Sequence, residues 1–219
     1  MRDIIIIGSG GHSRAVISIV KSAKKWRKVS IIDTKYNGNI EKILTVPVVG
    51  GIEFLEKLNI NNTDVFVAIG DNFLRRDMIG LVIDKGFKIP NLIHSNSNLD
   101  QDITLGYGNF IGSGANLGPD VNVGNGNIIN TSVDLDHESK IGDYNQLAPA
   151  SVLCGRSVVG NLVLLGANST VLDNLEIADE TIIGAGAVVI KSIESSGETF
   201  VGIPAKKIWF IFQQVALSI

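Results

Sequence analysis

His137 and Glu138 are the neighbouring side chains of this sequence that are best suited to proton transfer. A neutral imidazole is a competent general base near pH 7. The adjacent carboxylate can orient the ring and raise its basicity if the backbone turns at this point. The sequence alone also leaves open that His137 is an ordinary surface residue.

A glycine-rich segment, Gly8-Ser9-Gly10-Gly11, is the second candidate because it lies between a predicted strand and a predicted helix. Backbone amides at the start of a helix bind phosphate groups. Asp33 ends the next predicted strand, at the spacing of an acidic residue that meets a ribose or a base. Ser13 replaces the last glycine of the dinucleotide fingerprint, so we expect a nucleotide-linked ligand smaller than NAD. A tight turn without a ligand, and a His12 that merely begins the helix, are the alternatives.

The other potentially reactive residues are predicted to be structural. A single cysteine, Cys154, excludes an intramolecular disulfide, and its place among small residues favours packing over nucleophilic catalysis. His94 is also expected to have a structural role. The three histidines lack the spacing of metal ligands, so no metal site is expected.

The element that must position His137 is a hexapeptide repeat. Every sixth residue from Leu105 to Val189 is aliphatic, the residue after it is usually glycine or alanine, and the residue two places before it is usually small or short. This period indicates a parallel β-helix with three hexads in each coil of about 18 residues and roughly five coils. We expect glycine after each aliphatic residue because a corner needs backbone angles that other residues adopt only at a cost. His137 lies outside the two inward columns, at a corner.

The element that must position the glycine turn is an α/β region before residue 95. Its alternating pattern predicts a small parallel sheet of Rossmann type, about half the usual size. The predicted strands and helices are Asp3–Ile7, Ser13–Ala23, Val29–Ile32, Glu53–Leu58, Val65–Ile69 and Leu74–Lys85, with an extended segment at Val46–Gly50. Two domains follow, 1–95 and 96–219, and the polar segment 91–100 is expected to join them.

Composition excludes several classes of protein. The formal net charge of −3 gives no broad basic field, so nucleic acid is not an expected partner. Hydrophobic residues make up 45% of the chain and charged residues 19%, which suits a buried subunit interface. The apolar runs at the start and at Trp209–Phe212 are too short for a signal peptide or a membrane span. We therefore expect a cytoplasmic protein without membrane insertion; the apolar tail receives no function.

Together these motifs resemble the bacterial nucleotide-sugar N-acetyltransferases of the left-handed β-helix superfamily, whose architecture sialic acid O-acetyltransferases share. The resemblance covers essentially the whole chain except its last ten residues. It is carried by Gly10–Arg14, Phe66–Asn72, Ile128–Thr131, His137-Glu138 and Gly202–Lys206.

The resemblance implies a Rossmann-like half-domain that binds the sugar nucleotide, followed by a left-handed β-helix acyltransferase domain in a homotrimer with active sites between subunits. It implies His137 as catalytic base, with Glu138 as its partner and Asn130 close by. It implies sugar-nucleotide contacts from Gly10, Gly11, His12, Asp33, Thr34 and Gly70. Acetyl-CoA would lie along the β-helix near Gln146, Gly155, Ala167 and Ala185. Some relatives carry a histidine where this chain has Gln146.

The activity implied is acetyl-CoA-dependent N-acetylation of a nucleotide-linked amino sugar, at C4, for surface polysaccharide or glycan biosynthesis. We expect direct transfer in a ternary complex, with His137 taking the proton of the amine and a backbone amide at a corner stabilising the oxyanion. O-acetylation of sialic-acid-like sugars is the alternative. A non-catalytic trimeric nucleotide-binding scaffold is an alternative of another class.

Overall fold

The computed structural model describes residues 1–38 and 42–208, so the apolar tail from 209 to 219 lies outside the described residues. The chain divides into two compact units, the first from Met1 to Leu92 and the second from Ile93 onward. Among the described residues, no helix has the length and apolarity that a membrane crossing requires.

The first unit is a five-stranded sheet with two α-helices and a 3-10 helix. Its strands are β1 Asp3–Ile7, β2 Val29–Ile32, β3 Lys42–Ile43, β4 Val46–Gly50 and β5 Thr63–Val67. Its helices are α1 Gly11–Ala23, the 3-10 helix Ile52–Lys57 and α2 Asn72–Asp84. The strand order is β3-β4-β2-β1-β5; β4, β2, β1 and β5 are parallel, and β3 pairs with β4 in the antiparallel sense.

This sheet confirms the Rossmann-type prediction and corrects some of its boundaries. The third predicted strand, Val65–Ile69, is Thr63–Val67 because β5 pairs residue for residue with β1 and β1 ends at Ile7. The second helix begins at Asn72 because the Asp71 carboxylate accepts a hydrogen bond from the Leu74 amide, 2.8 Å away. Since β1 lies between β2 and β5, the loops after these strands share one edge of the sheet, where ligands of such folds bind.

The second unit is a three-sided parallel β-helix built from short strands. Face A contains β6 Leu92–Ile93, β9 Phe110–Ile111, β12 Ile128–Ile129, β15 Gln146–Leu147, β18 Leu164–Leu165, β21 Ile182–Ile183, β23 Thr199–Val201 and the antiparallel β24 Lys206–Ile208. Face B contains β7 Asn98–Leu99, β10 Asn116–Leu117, β13 Asp134–Leu135, β16 Val152–Leu153, β19 Thr170–Val171 and β22 Val188–Val189. Face C contains β8 Thr104–Leu105, β11 Asn122–Val123, β14 Lys140–Ile141, β17 Val158–Val159 and β20 Glu176–Ile177.

The repeated aliphatic column forms the core of this unit. From Ile111 to Val189 every member is at most 4% exposed, and each occupies the second position of its strand. The period extends backward through Leu99 and Ile93, so the segment 91–100, expected to be a junction, already contains β6 and β7. The polar residues around these two strands hid the start of the repeat.

The glycines that follow the aliphatic residues are needed for a different reason from the one expected, which was an unusual backbone angle at the corner. A Cβ on Gly106 would lie 2.6 Å from the Gly124 carbonyl oxygen, and one on Gly166 would lie 2.4 Å from the Ala185 nitrogen. These glycines are required by the close approach of the next coil. Positive φ falls three residues before each aliphatic, on a column that is mostly not glycine: Asp102, Gly108, Gly114, Asp120, Gly126, Ser132, Glu138, Tyr144, Ala150, Arg156, Leu162, Asn168, Asn174, Glu180 and Gly186.

A ladder of buried asparagines, which the sequence pattern did not reveal, runs along the edge between faces C and A. Asn109, Asn127 and Asn145 are fully buried and stand 18 residues apart. The Asn127 side chain accepts a hydrogen bond from the Asn145 amide (2.8 Å) and donates one to the Gly142 carbonyl (2.9 Å). The ladder thereby ties neighbouring coils together inside a corner.

Replacing Asn127 with alanine removes the acceptor of the Asn145 amide and the donor to the Gly142 carbonyl. We expect a loss of about 2 kcal/mol in the free energy of unfolding, because buried backbone groups lose their partners. Asn122→Ala is the control, since that exposed side chain donates to the Asp120 carbonyl at the surface, and it should change stability by less than about 0.5 kcal/mol. Equal denaturation midpoints for the two variants would show that the ladder does not stabilise the fold.

Candidate functional site

The glycine turn after β1 leads directly into α1. Gly8 has φ +110°, and a Cβ there would lie 2.9 Å from the Ala68 carbonyl oxygen, so only glycine fits. Gly10 caps α1; within the described residues, no atom lies within 4 Å of a Cβ placed on Gly10 or Gly11. The turn therefore presents a helix N-terminus with open space in front of it, which is a suitable place for a phosphate.

Asp33 lies at the end of β2 and holds the glycine turn. Its carboxylate accepts hydrogen bonds from the Ser9 amide and the Lys35 amide, each at 2.7 Å. Partial burial raises the pKa of this carboxyl, but the hydrogen bonds from Ser9 and Lys35 outweigh burial and lower it. Asp33 is therefore ionised at neutral pH, and the exposed Thr34 follows it in the turn.

His12 lies in the first turn of α1 and is neutral at physiological pH. Burial, with a smaller contribution from the charge of Arg75, lowers its pKa to about 4. Its Nε2 atom is buried. A neutral imidazole beside a helix N-terminus offers a hydrogen bond to a ligand without adding a charge.

Arg75, on α2, is a residue of this region that the sequence analysis missed. Its guanidinium is 1% exposed and donates to the carbonyls of Ile69 (3.0 Å) and Gly70 (2.8 Å) and to the Asn72 side chain (2.7 Å). Burial lowers its pKa to about 9. The signal was available, because Arg75 falls on the helix face that buries Met78, Ile79 and Val82. The hydrogen bonds of Arg75 to the Ile69 and Gly70 carbonyls hold the loop that contains Gly70 in place.

His137 and Glu138 occupy the edge between faces B and C, in the turn after β13. The ring is 44% exposed, and its Nδ1 lies 3.2 Å from Glu138 Oε1. Its Nε2 lies 4.0 Å from Asp136 Oδ2. With the proton on Nδ1 donated to Glu138, Nε2 is left as the proton acceptor. The corner turns at Glu138, which has φ 60°.

The next coil places Gly155 and Arg156 against this pair. A Cβ on Gly155 would lie 2.5 Å from His137 Nε2, so glycine at this position makes room for the ring. A guanidinium nitrogen of Arg156 lies 3.0 Å from Glu138 Oε1. Hydrogen bonds from Arg156 and, second, from His137 lower the pKa of the Glu138 carboxyl. The sequence analysis did not single out Arg156.

The remaining predicted residues lie elsewhere on the β-helix. Asn130 is in the corner between faces A and B, where its side chain accepts a hydrogen bond from the Thr131 amide at 2.8 Å. The whole of β13 separates it from His137, so one chain does not bring the two together. Gln146 begins β15, whose end leads into the same A–B edge. Ala167 and Ala185 follow on that edge, one coil apart.

Cys154 is half-buried beside Gly155. Burial and the nearby carboxylates of Asp173 and Asp136 raise the pKa of its thiol, which disfavours the thiolate. Across residues 1–38 and 42–208, no three histidine, cysteine or acidic side chains are grouped so that they could hold a metal ion.

The comparisons with known proteins agree in architecture. A family model described as the PglD N-terminal domain matches residues 3–80. PerB from Caulobacter crescentus, crystallised with CoA and GDP-perosamine, is 33% identical over 95% of this chain and 98% of its own, with a TM-score of 0.88. The acetyltransferase domain of PglB from Neisseria gonorrhoeae, in complex with acetyl coenzyme A, is 26% identical over 94% and 99%, with a TM-score of 0.90.

WeeI from Acinetobacter baumannii shares the fold at 23% identity, over 95% of this chain and 100% of its own, with a TM-score of 0.88. A comparison with curated protein sequences gave no significant match. The N-terminal α/β part and the stacked parallel strands that follow it in sequence match the left-handed β-helix fold of these neighbours. This match gives the handedness of the coil, which the six-residue period alone does not determine.

The low pKa of His12 makes a prediction about stability. An unfolded histidine titrates near 6.5, so between about pH 6.5 and 4 the unfolded chain binds more protons at this position than the folded chain. The contribution of His12 to stability is therefore complete above pH 6.5 and declines as the pH falls, by at most about 3 kcal/mol at pH 4.

Replacing His12 with glutamine should flatten this part of the pH profile of unfolding. The measurement is the denaturation midpoint of the unchanged protein and of His12→Gln at several pH values from 7 to 4. Parallel profiles for the two proteins would contradict a buried, neutral His12.

Proposed function

Because the chain belongs to the bacterial nucleotide-sugar N-acetyltransferases with a hexapeptide-repeat β-helix, we propose that it transfers the acetyl group of acetyl-CoA to an amino group of a nucleotide-linked amino sugar. PerB, crystallised with CoA and GDP-perosamine, supports this substrate class, and the PglB complex supports the donor. The same proposal includes the C4 amine as acceptor, a role in surface polysaccharide or glycan biosynthesis, and a cytoplasmic location.

The observation that carries the proposal is the His137–Glu138 pair beside Gly155. The neutral amine attacks the thioester carbonyl carbon, and a C–N bond forms as His137 Nε2 takes the proton of the amine. Glu138, 3.2 Å from Nδ1, stabilises the imidazolium. The tetrahedral intermediate collapses with cleavage of the C–S bond, and the departing CoA thiolate takes the proton from the His137 imidazolium, which restores the neutral base. A backbone amide at a corner stabilises the oxyanion before that step.

The first unit supplies the features that a sugar nucleotide needs. Gly10 and Gly11 open the N-terminus of α1 to a diphosphate. Asp33, held ionised at the end of β2, is placed to accept hydrogen bonds from a ribose or a base. Thr34 and Gly70 lie in the loops after β2 and β5, and His12 provides an uncharged polar contact.

A homotrimer is part of the proposal, because the predicted acetyl-CoA residues are divided between two edges of one β-helix. Gly155 lies with His137 on the B–C edge, whereas Ala167 and Ala185 lie on the A–B edge. Face B separates these edges, so we infer that a neighbouring copy completes each site.

The outward side chains support the same assembly. On faces A and B, next to the A–B edge, most of them are apolar in the later coils, namely Val152, Leu164, Ile182 and Val188, and Thr170 is the polar exception. On face C they are more polar, with Asn122, Lys140 and Glu176 beside Val158. Apolar surface of this kind is what a subunit interface covers.

His137→Ala should lower the turnover of acetyl-CoA with a suitable amino sugar by about 10²- to 10⁴-fold, because the general base is removed. The assay uses UDP-, GDP- and dTDP-linked amino sugars, with free and CMP-linked sialic acids alongside. His94→Ala is the control and should keep full activity, since His94 Nδ1 only accepts a local hydrogen bond from the Asn96 amide. Equal rates for His137→Ala and the unchanged protein would remove His137 from the mechanism.

The substrate panel also separates the alternatives. Acetylation of sialic acids alone would favour the O-acetyltransferase. Nucleotide binding without turnover of any sugar would favour the scaffold.

The shared site can be tested by mixing two inactive variants. His137→Ala removes the base, and Ala185→Trp obstructs the A–B edge, where Ala185 is exposed. In trimers formed from equal amounts, about a quarter of the sites should combine an intact His137 with an intact Ala185 from a neighbour. We expect co-expressed variants to recover about that fraction of wild-type turnover. Complete inactivity of the mixture would place each site within one chain.

A further inference from the structure

Arg156 is a charged residue beside the proposed base to which the mechanism above gives no role. It stands 18 residues after Glu138, at the equivalent position of the next coil. Both residues have left-handed backbone conformations, with φ of 60° for Glu138 and 58° for Arg156. The Arg156 amide also donates to the His137 carbonyl at 2.9 Å. The backbone of the next coil is therefore fixed against His137 before any side chain is considered.

The guanidinium of Arg156 contacts both oxygens of the Glu138 carboxylate. Its Nε lies 3.2 Å from Oε1 and 3.2 Å from Oε2, and a terminal nitrogen lies 3.0 Å from Oε1. Oε1 is also the atom that faces His137 Nδ1. One carboxylate oxygen is thus shared between the imidazole and the guanidinium.

We propose that Arg156 is a positioning residue for acetyl transfer, which holds the Glu138 carboxylate in the orientation that fixes the His137 ring and its tautomer. The inference rests on the proposed function, because it takes His137 as the base. Glu138 and His137 are both about half exposed, so neither side chain is fixed by burial. A planar guanidinium with two donors restricts a carboxylate in a way that a water molecule or a lysine does not.

The charges around His137 determine whether removal of Arg156 favours the protonated or the neutral imidazole. On its own coil these are Asp134, Asp136, Glu138 and Lys140; Asp120 lies on the coil below, and Arg156 and Asp173 lie above. The nearby Cys154 thiol is uncharged because burial and neighbouring carboxylates raise its pKa. Arg156 neutralises part of the Glu138 charge that would otherwise act on the imidazolium. Its removal should therefore favour the protonated ring and move the acid limb of the rate profile to higher pH.

The test compares Arg156→Gln, Arg156→Lys and the unchanged protein with acetyl-CoA and the preferred sugar nucleotide. For Arg156→Gln we expect kcat to fall about tenfold, because the base is less well oriented, while KM for the sugar nucleotide is unchanged. The acid limb of kcat/KM should move to higher pH. In Arg156→Lys the acid limb of kcat/KM should stay at the wild-type pH, and kcat should lie between the values for Arg156→Gln and the unchanged protein.

Arg76→Gln is the matched control, since Arg76 is a half-exposed arginine of α2 that is paired with Asp77. It should leave kcat, KM and the pH profile unchanged. If Arg156→Gln lowers only the melting temperature and keeps the wild-type kcat and pH profile, Arg156 is structural and the inference is wrong. Absence of turnover in the unchanged protein is a different result, which overturns the proposed function itself.

Titration of the histidine ring signals by NMR gives a readout without turnover. The chain has three histidines, so the His137 signals are assigned by their loss in His137→Ala. Their titration midpoint should move to higher pH in Arg156→Gln and stay in place in Arg76→Gln. An unmoved midpoint in Arg156→Gln would show that the guanidinium does not act on the imidazole through Glu138.

Discussion

The second unit depends on the stacking of parallel coils in an 18-residue register. Parallel pairing aligns the strands of successive coils, as Leu117 aligns with Leu135 and Leu135 with Leu153. The same register places like positions over one another. Aliphatic residues form a continuous core, asparagines form a ladder, and His137 lies under Gly155. The geometry of the candidate site is therefore a consequence of coil stacking rather than of local sequence.

The close spacing of coils also explains why small residues recur where no unusual backbone angle is needed. At Gly155 the neighbour is an imidazole, and at Gly106 it is the backbone of the following coil. A methyl group at either position would have to displace the atoms of an adjacent coil. Packing between coils thus constrains the corners of the structural repeat and the corner of the site alike.

The sequence was sufficient for the main elements because each depends on a local or periodic pattern. The six-residue aliphatic column predicted the β-helix, and the Ile4–Ile7 run before a glycine turn predicted the first parallel strand. The position of His137 outside the inward columns also followed from the period. The separation of Asn130 from His137 also follows from the six-residue period, since seven residues carry the chain along one face, from one corner of the triangle to the next.

Contacts between distant residues were not accessible in the same way. Arg156 meets Glu138 only because 18 residues return the chain to the same corner, and their charges alone do not indicate the pairing. Arg75 is buried although arginine is usually exposed. The asparagine ladder occupies a column that is otherwise filled by short side chains, and its buried hydrogen bonds depend on three coils at once. Burial and long-range hydrogen bonds are properties of the folded chain.

The left-handed corner positions have a consequence for how such a protein diversifies. Most of them carry residues other than glycine, and glutamate, arginine, tyrosine, leucine and asparagine all occur there. The coil accepts side chains of different size and charge that are not branched at Cβ at these positions, so one nucleotide change can place a new charge beside an existing functional group without disturbing the core. Related proteins can in this way retain one scaffold while altering the electrostatics around a side chain such as His137.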